Sequence, residues 1–102
     1  MAISNTVLST TTSNVYISVG TTVVSVMYFC NTSETASNFN LYAVAAGGSA
    51  SNATQIYKNV QIAGGDTFVI DMEKLALATG DSLMSDASTP GAITATVSYV
   101  RL

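Results

Sequence analysis

Ala92-Ile93-Thr94-Ala95-Thr96-Val97-Ser98-Tyr99-Val100 is the stretch whose reading decides the fold. Its apolar and polar residues alternate with period two. Ile93, Ala95, Val97 and Tyr99 share one face, and Thr94, Thr96 and Ser98 share the other. Successive side chains of an extended chain point to opposite sides, so this pattern predicts a half-buried strand.

The same alternation recurs upstream. Val15, Ile17 and Val19 alternate with Tyr16 and Ser18, and Gly20 ends the run. Thr22 to Cys30 is mostly apolar on both faces, as a central strand would be. In the next strand Phe39, Leu41 and Ala43 oppose Asn40, Tyr42 and Val44. Gln55 to Ile62 reads as a strand anchored by Ile56, Val60 and Ile62, with a bulge at Lys58-Asn59 where the alternation slips. Thr67 to Ile70 and Leu83 to Ala87 are short strands. Glu73 to Leu77 has helix-forming composition, but its shortness and the Thr79-Gly80-Asp81 turn that follows favour a strand.

About eight short strands at this spacing predict an all-β chain, an antiparallel β-sandwich of jelly-roll or Ig-like type. A chain of 102 residues is the size of one domain. Residues 14–102 are read as that single domain. Residues 1–13, rich in Ser and Thr, are read as an N-terminal arm that orders on assembly or as a first edge strand.

Charge is scarce. Asp, Glu, Lys and Arg make up 9% of the chain, against about 25% in an ordinary soluble domain. Weakly charged β proteins associate unless their edges are guarded, so the composition points to life inside an assembly. Lys58, Lys74 and Arg101 are the only cations and the net charge is −3, which argues against direct contact with nucleic acid or an anionic membrane. The opening residues carry no basic segment followed by an apolar one, so a soluble chain made in the cytosol is expected. The sequons at Asn31 and Asn52 are then chance matches.

Catalytic constellations are missing for stated reasons. The chain has no His, so a Ser-His-Asp arrangement is excluded. Cys30 is the single cysteine and is read as a small apolar strand residue. Neither Gly47-Gly48 nor Gly64-Gly65 carries a phosphate-loop ending. Asp66, Asp71, Glu73, Asp81 and Asp86 lie close in sequence but match no calcium-loop spacing, and two of them sit in ordinary turns. No catalytic, metal or cofactor residue is therefore assigned, and the chain is read as a non-enzyme. Tyr16, Tyr28, Tyr42, Tyr57 and Tyr99 are the candidate interface residues, because a phenol buries well while keeping a polar tip.

Several short motifs occur in a telling order: Met1-Ala2-Ile3-Ser4-Asn5-Thr6, Val15-Tyr16-Ile17-Ser18, Met27-Tyr28-Phe29-Cys30-Asn31-Thr32, Asn38-Phe39-Asn40-Leu41-Tyr42-Ala43-Val44 and Ile56-Tyr57-Lys58-Asn59-Val60. Asp66-Thr67-Phe68-Val69-Ile70-Asp71, Glu73-Lys74-Leu75, Gly80-Asp81-Ser82 and Ala95-Thr96-Val97-Ser98-Tyr99 complete the series. Together they resemble small virion structural proteins of tailed bacteriophages, particularly of marine and cyanobacterial phages. The resemblance implies a β domain on the particle: a capsid decoration or cement protein, or a tail, neck or baseplate accessory. A carbohydrate-binding adhesion module is the rival reading. The implied partners are other virion proteins and further copies of the chain, with a trimer favoured. Contact would come from apolar and tyrosine-bearing patches and from strand-edge pairing rather than from charge.

Overall fold

The computed structural model describes residues 2–71 and 74–102, and these hold nine strands and no helix. They are β1 (Ala2–Val7), β2 (Ser13–Ile17), β3 (Thr22–Asn31), β4 (Ser37–Val44), β5 (Gln55–Ile62), β6 (Thr67–Ile70), β7 (Leu75–Leu77), β8 (Ser82–Ala87) and β9 (Ile93–Arg101). Glu73, where the strand from Glu73 to Leu77 was expected to begin, lies outside the described residues.

The strands form two antiparallel sheets. Sheet A runs β1-β9-β3-β6, with β7 also pairing β3; sheet B runs β2-β8-β4-β5. The pairings β4–β5, β3–β6 and β7, β2–β8 and β1–β9 have a simple origin. They are those of one long hairpin, bent at β4–β5 and rolled up so that alternate pairs fall in opposite sheets. That is the jelly-roll order, not the Ig-like one.

The core lies between the sheets. Phe29 of β3 stacks on Phe39 of β4 with ring centroids 4.1 Å apart, and both side chains are fully buried. Phe68 packs beside Phe39, and Tyr57 meets Phe68 edge-on. Tyr16 and Tyr99 form a second inter-sheet contact at 4.4 Å. Stacked pairs of this kind add about 0.5–1.5 kcal/mol beyond their burial.

Bulges shift two strands out of the phase that alternation suggests. Register slips between Asn14 and Tyr16 of β2. Val15 and Tyr16 are therefore both buried, and Ile17 and Val19 turn outward while Ser18 turns in. On β3 an extra residue, Ser25, separates Val24 from Val26 against β9. Val24, Met27 and Phe29 point inward as a result, whereas Cys30 faces out beside Thr94 and Thr67. Cys30 is thus half-buried on an outer face rather than a core residue. The bulge at Lys58-Asn59 is present, and Asn59 takes the left-handed conformation at φ 51°. Ile56, expected as an anchor, is exposed there, and Tyr57 points inward instead.

Loops are fixed by local hydrogen bonds. Buried Asn31 donates to the Thr35 and Ile62 carbonyls and accepts from Ser33 N–H and hydroxyl, which holds 31–35 against the end of β5. Gly64 sits so close to this loop that a Cβ there would collide with the Glu34 carbonyl oxygen. Among the described residues no buried side-chain polar atom lacks a partner.

Candidate interaction surface

Among the described residues the carboxylates do not converge. Asp81 accepts from the N–H groups of Ala46 and Ala78 and so ties two turns together. Asp66 accepts from Thr67 N–H. Asp86 lies on the outer face of sheet B, where Thr12 donates to one oxygen at 2.6 Å and Asn40 to the other at 2.7 Å. Asn40 in turn accepts from Gln55 and from Asn59 N–H, so one polar chain crosses β8, β4 and β5. Among the described residues no group of three potential metal-ligating side chains is found.

The five candidate tyrosines divide by direction. Tyr16, only 7% exposed, and Tyr99 pack against each other inside the sandwich. Tyr57 leans on Phe39 and Phe68 from the open end of the core. These three are held by the fold and offer little area to a partner. Tyr28 projects from the outer face of sheet A, and Tyr42 from that of sheet B. Burial, and secondarily the Asp86 carboxylate, raises the Tyr42 phenol above its ordinary value of 10.0.

A cavity of about 330 Å³ opens between the sheets where β6 gives way to β7. Met27, Ile56, Tyr57, Ile70 and Leu75 line it. Its volume suits a small ligand, but among the described residues the Tyr57 hydroxyl is the one polar side-chain group in that lining.

The outer face of sheet A is different in kind. Register places Val7, Thr94, Cys30 and Thr67 in one row across the sheet, then Asn5, Thr96, Tyr28 and Val69 in the next. Ile3, Ser98 and Val26 make a third row. None of these is Asp, Glu, Lys or Arg. Ile3 is 66% exposed, Val7 62%, Val69 43% and Tyr28 41%. Scattered exposed apolar residues are normal, but an uncharged sheet face carrying several is the composition of an interface core. The chemistry such a face supports is burial against another uncharged surface, helped by Ser and Thr hydroxyls. Reading the tyrosines alone missed Ile3, Val7 and Val69. The available signal was strand after strand alternating apolar residues with Ser and Thr, with no charge on the polar side.

No protein-family model, curated protein or solved structure matches the chain.

Proposed function

We propose that this protein is a non-enzymatic structural component of a bacteriophage particle, acting as a capsid decoration or cement protein that docks on the shell and stabilises it. The observation that carries the reading is the set of three charge-free rows across the outer face of sheet A, with Ile3, Val7, Tyr28 and Val69 exposed on a two-layer scaffold. A decoration protein needs a stiff module with one adhesive face and no chemistry to perform. The low charge supports the same reading, because a chain held at high local concentration in a lattice has little use for repulsion between copies. Self-association, with a trimer as the form first expected, belongs to this proposal. Fold alone carries no argument here, since jelly rolls serve many functions.

The test is location. Particles purified from an infected culture are labelled with an antibody to the chain and imaged. Regular label on the shell is the expected result. Label confined to the tail, neck or baseplate replaces the cement role by an accessory one. Particles with no label, and no peptide of the chain by mass spectrometry, overturn the virion reading.

A further inference from the structure

The two sheets have four edges, and three are guarded. β2 is five residues long and carries a register slip. β5 is bent by Asn59 and bears exposed Lys58. The edge formed by β6 and β7 consists of strands of four and three residues. Between them the Lys74 ammonium donates to the Ser25 carbonyl at 2.8 Å and so occupies the bulge. Short strands, bulges and lysines are the devices that prevent strand addition.

β1 has none of them. Its six residues pair with β9 in unbroken register and include no charge and no Pro. The phase of its backbone follows from one bond: Leu8 N–H donates to the Ile93 carbonyl at 2.8 Å. Peptide groups alternate in direction along an antiparallel strand. Residues 2, 4, 6 and 8 therefore face β9, and the N–H and C=O of Ile3, Asn5 and Val7 face the open edge. Among the described residues no partner reaches them.

We infer that β1 is a dimerisation edge, pairing antiparallel with β1 of a second copy about a twofold axis through Asn5. This takes up the self-association in the proposed function but sets a dimer in place of the trimer first expected, and it stands without the particle. The occupant follows from self-complementarity. In this register Ile3 lies opposite Val7 of the other copy, Asn5 opposite Asn5, and Ser4 opposite Thr6. Apolar thus meets apolar, amide meets amide and hydroxyl meets hydroxyl. Every pair is on a common face, and the residues with outward peptide groups meet each other. Moving the axis to Ser4 would set Ile3 against Asn5, an apolar side chain against an amide, and Ala2 against Thr6. With the net charge of −3 placed elsewhere, no ionic repulsion opposes the approach at this edge. Two sheets A would then run on as one continuous sheet, with their uncharged outer faces on the same side. Such a contact closes at two copies. Strand pairing alone buries less than the roughly 1,200 Å² of a standard interface, so the free protein exchanges between one and two chains.

Light scattering on the intact chain from micromolar to millimolar concentration should show the mass rising from one chain towards two. Asn5→Pro removes an N–H that the monomer does not use, and Ile3→Lys charges the edge. Both are expected to stay at one chain throughout, with an unchanged circular dichroism spectrum. A second pair of variants checks register in a Cys30→Ser background. Asn5→Cys places two thiols across the axis, where opposed Cα atoms lie about 5.5 Å apart, within disulfide reach. It should cross-link under mild oxidation, whereas Val7→Cys, opposite Ile3, should not. A wild type that stays monomeric, a mass of three chains, Asn5→Pro associating normally, or Val7→Cys cross-linking as well as Asn5→Cys would each overturn the inference. A dimer that is absent from phage particles would sink the virion reading and leave this one standing.

Discussion

The outer faces of the two sheets are built from similar residues and end up opposite in character. On sheet B, Thr12, Asp86, Asn40 and Gln55 bond to one another, and Tyr42 lies half-covered beside them. On sheet A, Asn5 donates to Thr96 and Ser25 reaches Ser98, but Ile3 and Val7 are largely open to solvent and Tyr28 and Val69 partly so. The difference lies in where hydrogen-bonding capacity is used. Face B satisfies its polar groups internally and leaves little for a partner. Face A has few strong polar groups to strip of water, so covering it costs little desolvation and gains apolar burial at about 25 cal/mol per Å².

The largest effect is expected where one residue supports both faces. Phe39 stacks on Phe29 across the sandwich and touches Phe68 and Tyr57. Phe39→Ala should cost about 3–5 kcal/mol, from lost transfer energy and the cavity left behind. A denaturant midpoint close to wild type would mean that the sheets are not joined through this stack.

How much of this was legible depends on whether a strand kept its phase. β4 and β9 run without a bulge of their own interrupting the alternation, and their inner and outer residues follow the sequence pattern directly. The Lys58-Asn59 bulge was legible because alternation visibly breaks there. The slip beside Val15 and the extra Ser25 were not, because both sit among apolar or small residues that read equally well in either phase. That is why Ile17, Val19 and Cys30 point outward. β1 was ambiguous for another reason. Its six residues are weakly apolar, and only pairing with the far end of the chain makes them a strand. The scarcity of charge could be counted directly. Its concentration into one blank face could not, since that depends on the order β1-β9-β3-β6, which strand spacing alone does not fix.

A middle-sized effect separates the faces. Asp86→Ala leaves the Asn40 amide and the Thr12 hydroxyl without their acceptor. Hydrogen bonds to a charged group contribute about 1.5–3 kcal/mol, less where water can substitute, so a loss of about 1–2 kcal/mol is expected. Val69→Thr on face A should change stability by no more than about 0.5 kcal/mol, as ordinary surface substitutions do. Chemical denaturation of the two variants side by side measures the contrast. Equal losses would erase the distinction drawn between the faces.

The smallest effect is a pH dependence confined to face B. Partial burial of Tyr42 favours its neutral phenol, and the Asp86 carboxylate adds to this by repelling phenolate. The folded protein therefore holds that proton more tightly than the unfolded chain does. The resulting stabilisation is full below the ordinary phenol value of 10.0 and is lost as pH rises through the higher folded value. Tyr42→Phe should accordingly show a shallower fall in stability than wild type on the alkaline side of 10.0, and the same stability profile shape below it. Asp86→Asn separates the two causes. It removes the charge but keeps a side chain that can still accept from Thr12. Because burial is the larger cause, phenolate absorbance should show the Tyr42 titration moving only part of the way back towards the ordinary value. A complete return would make the carboxylate, not the packing of face B, the dominant influence on Tyr42.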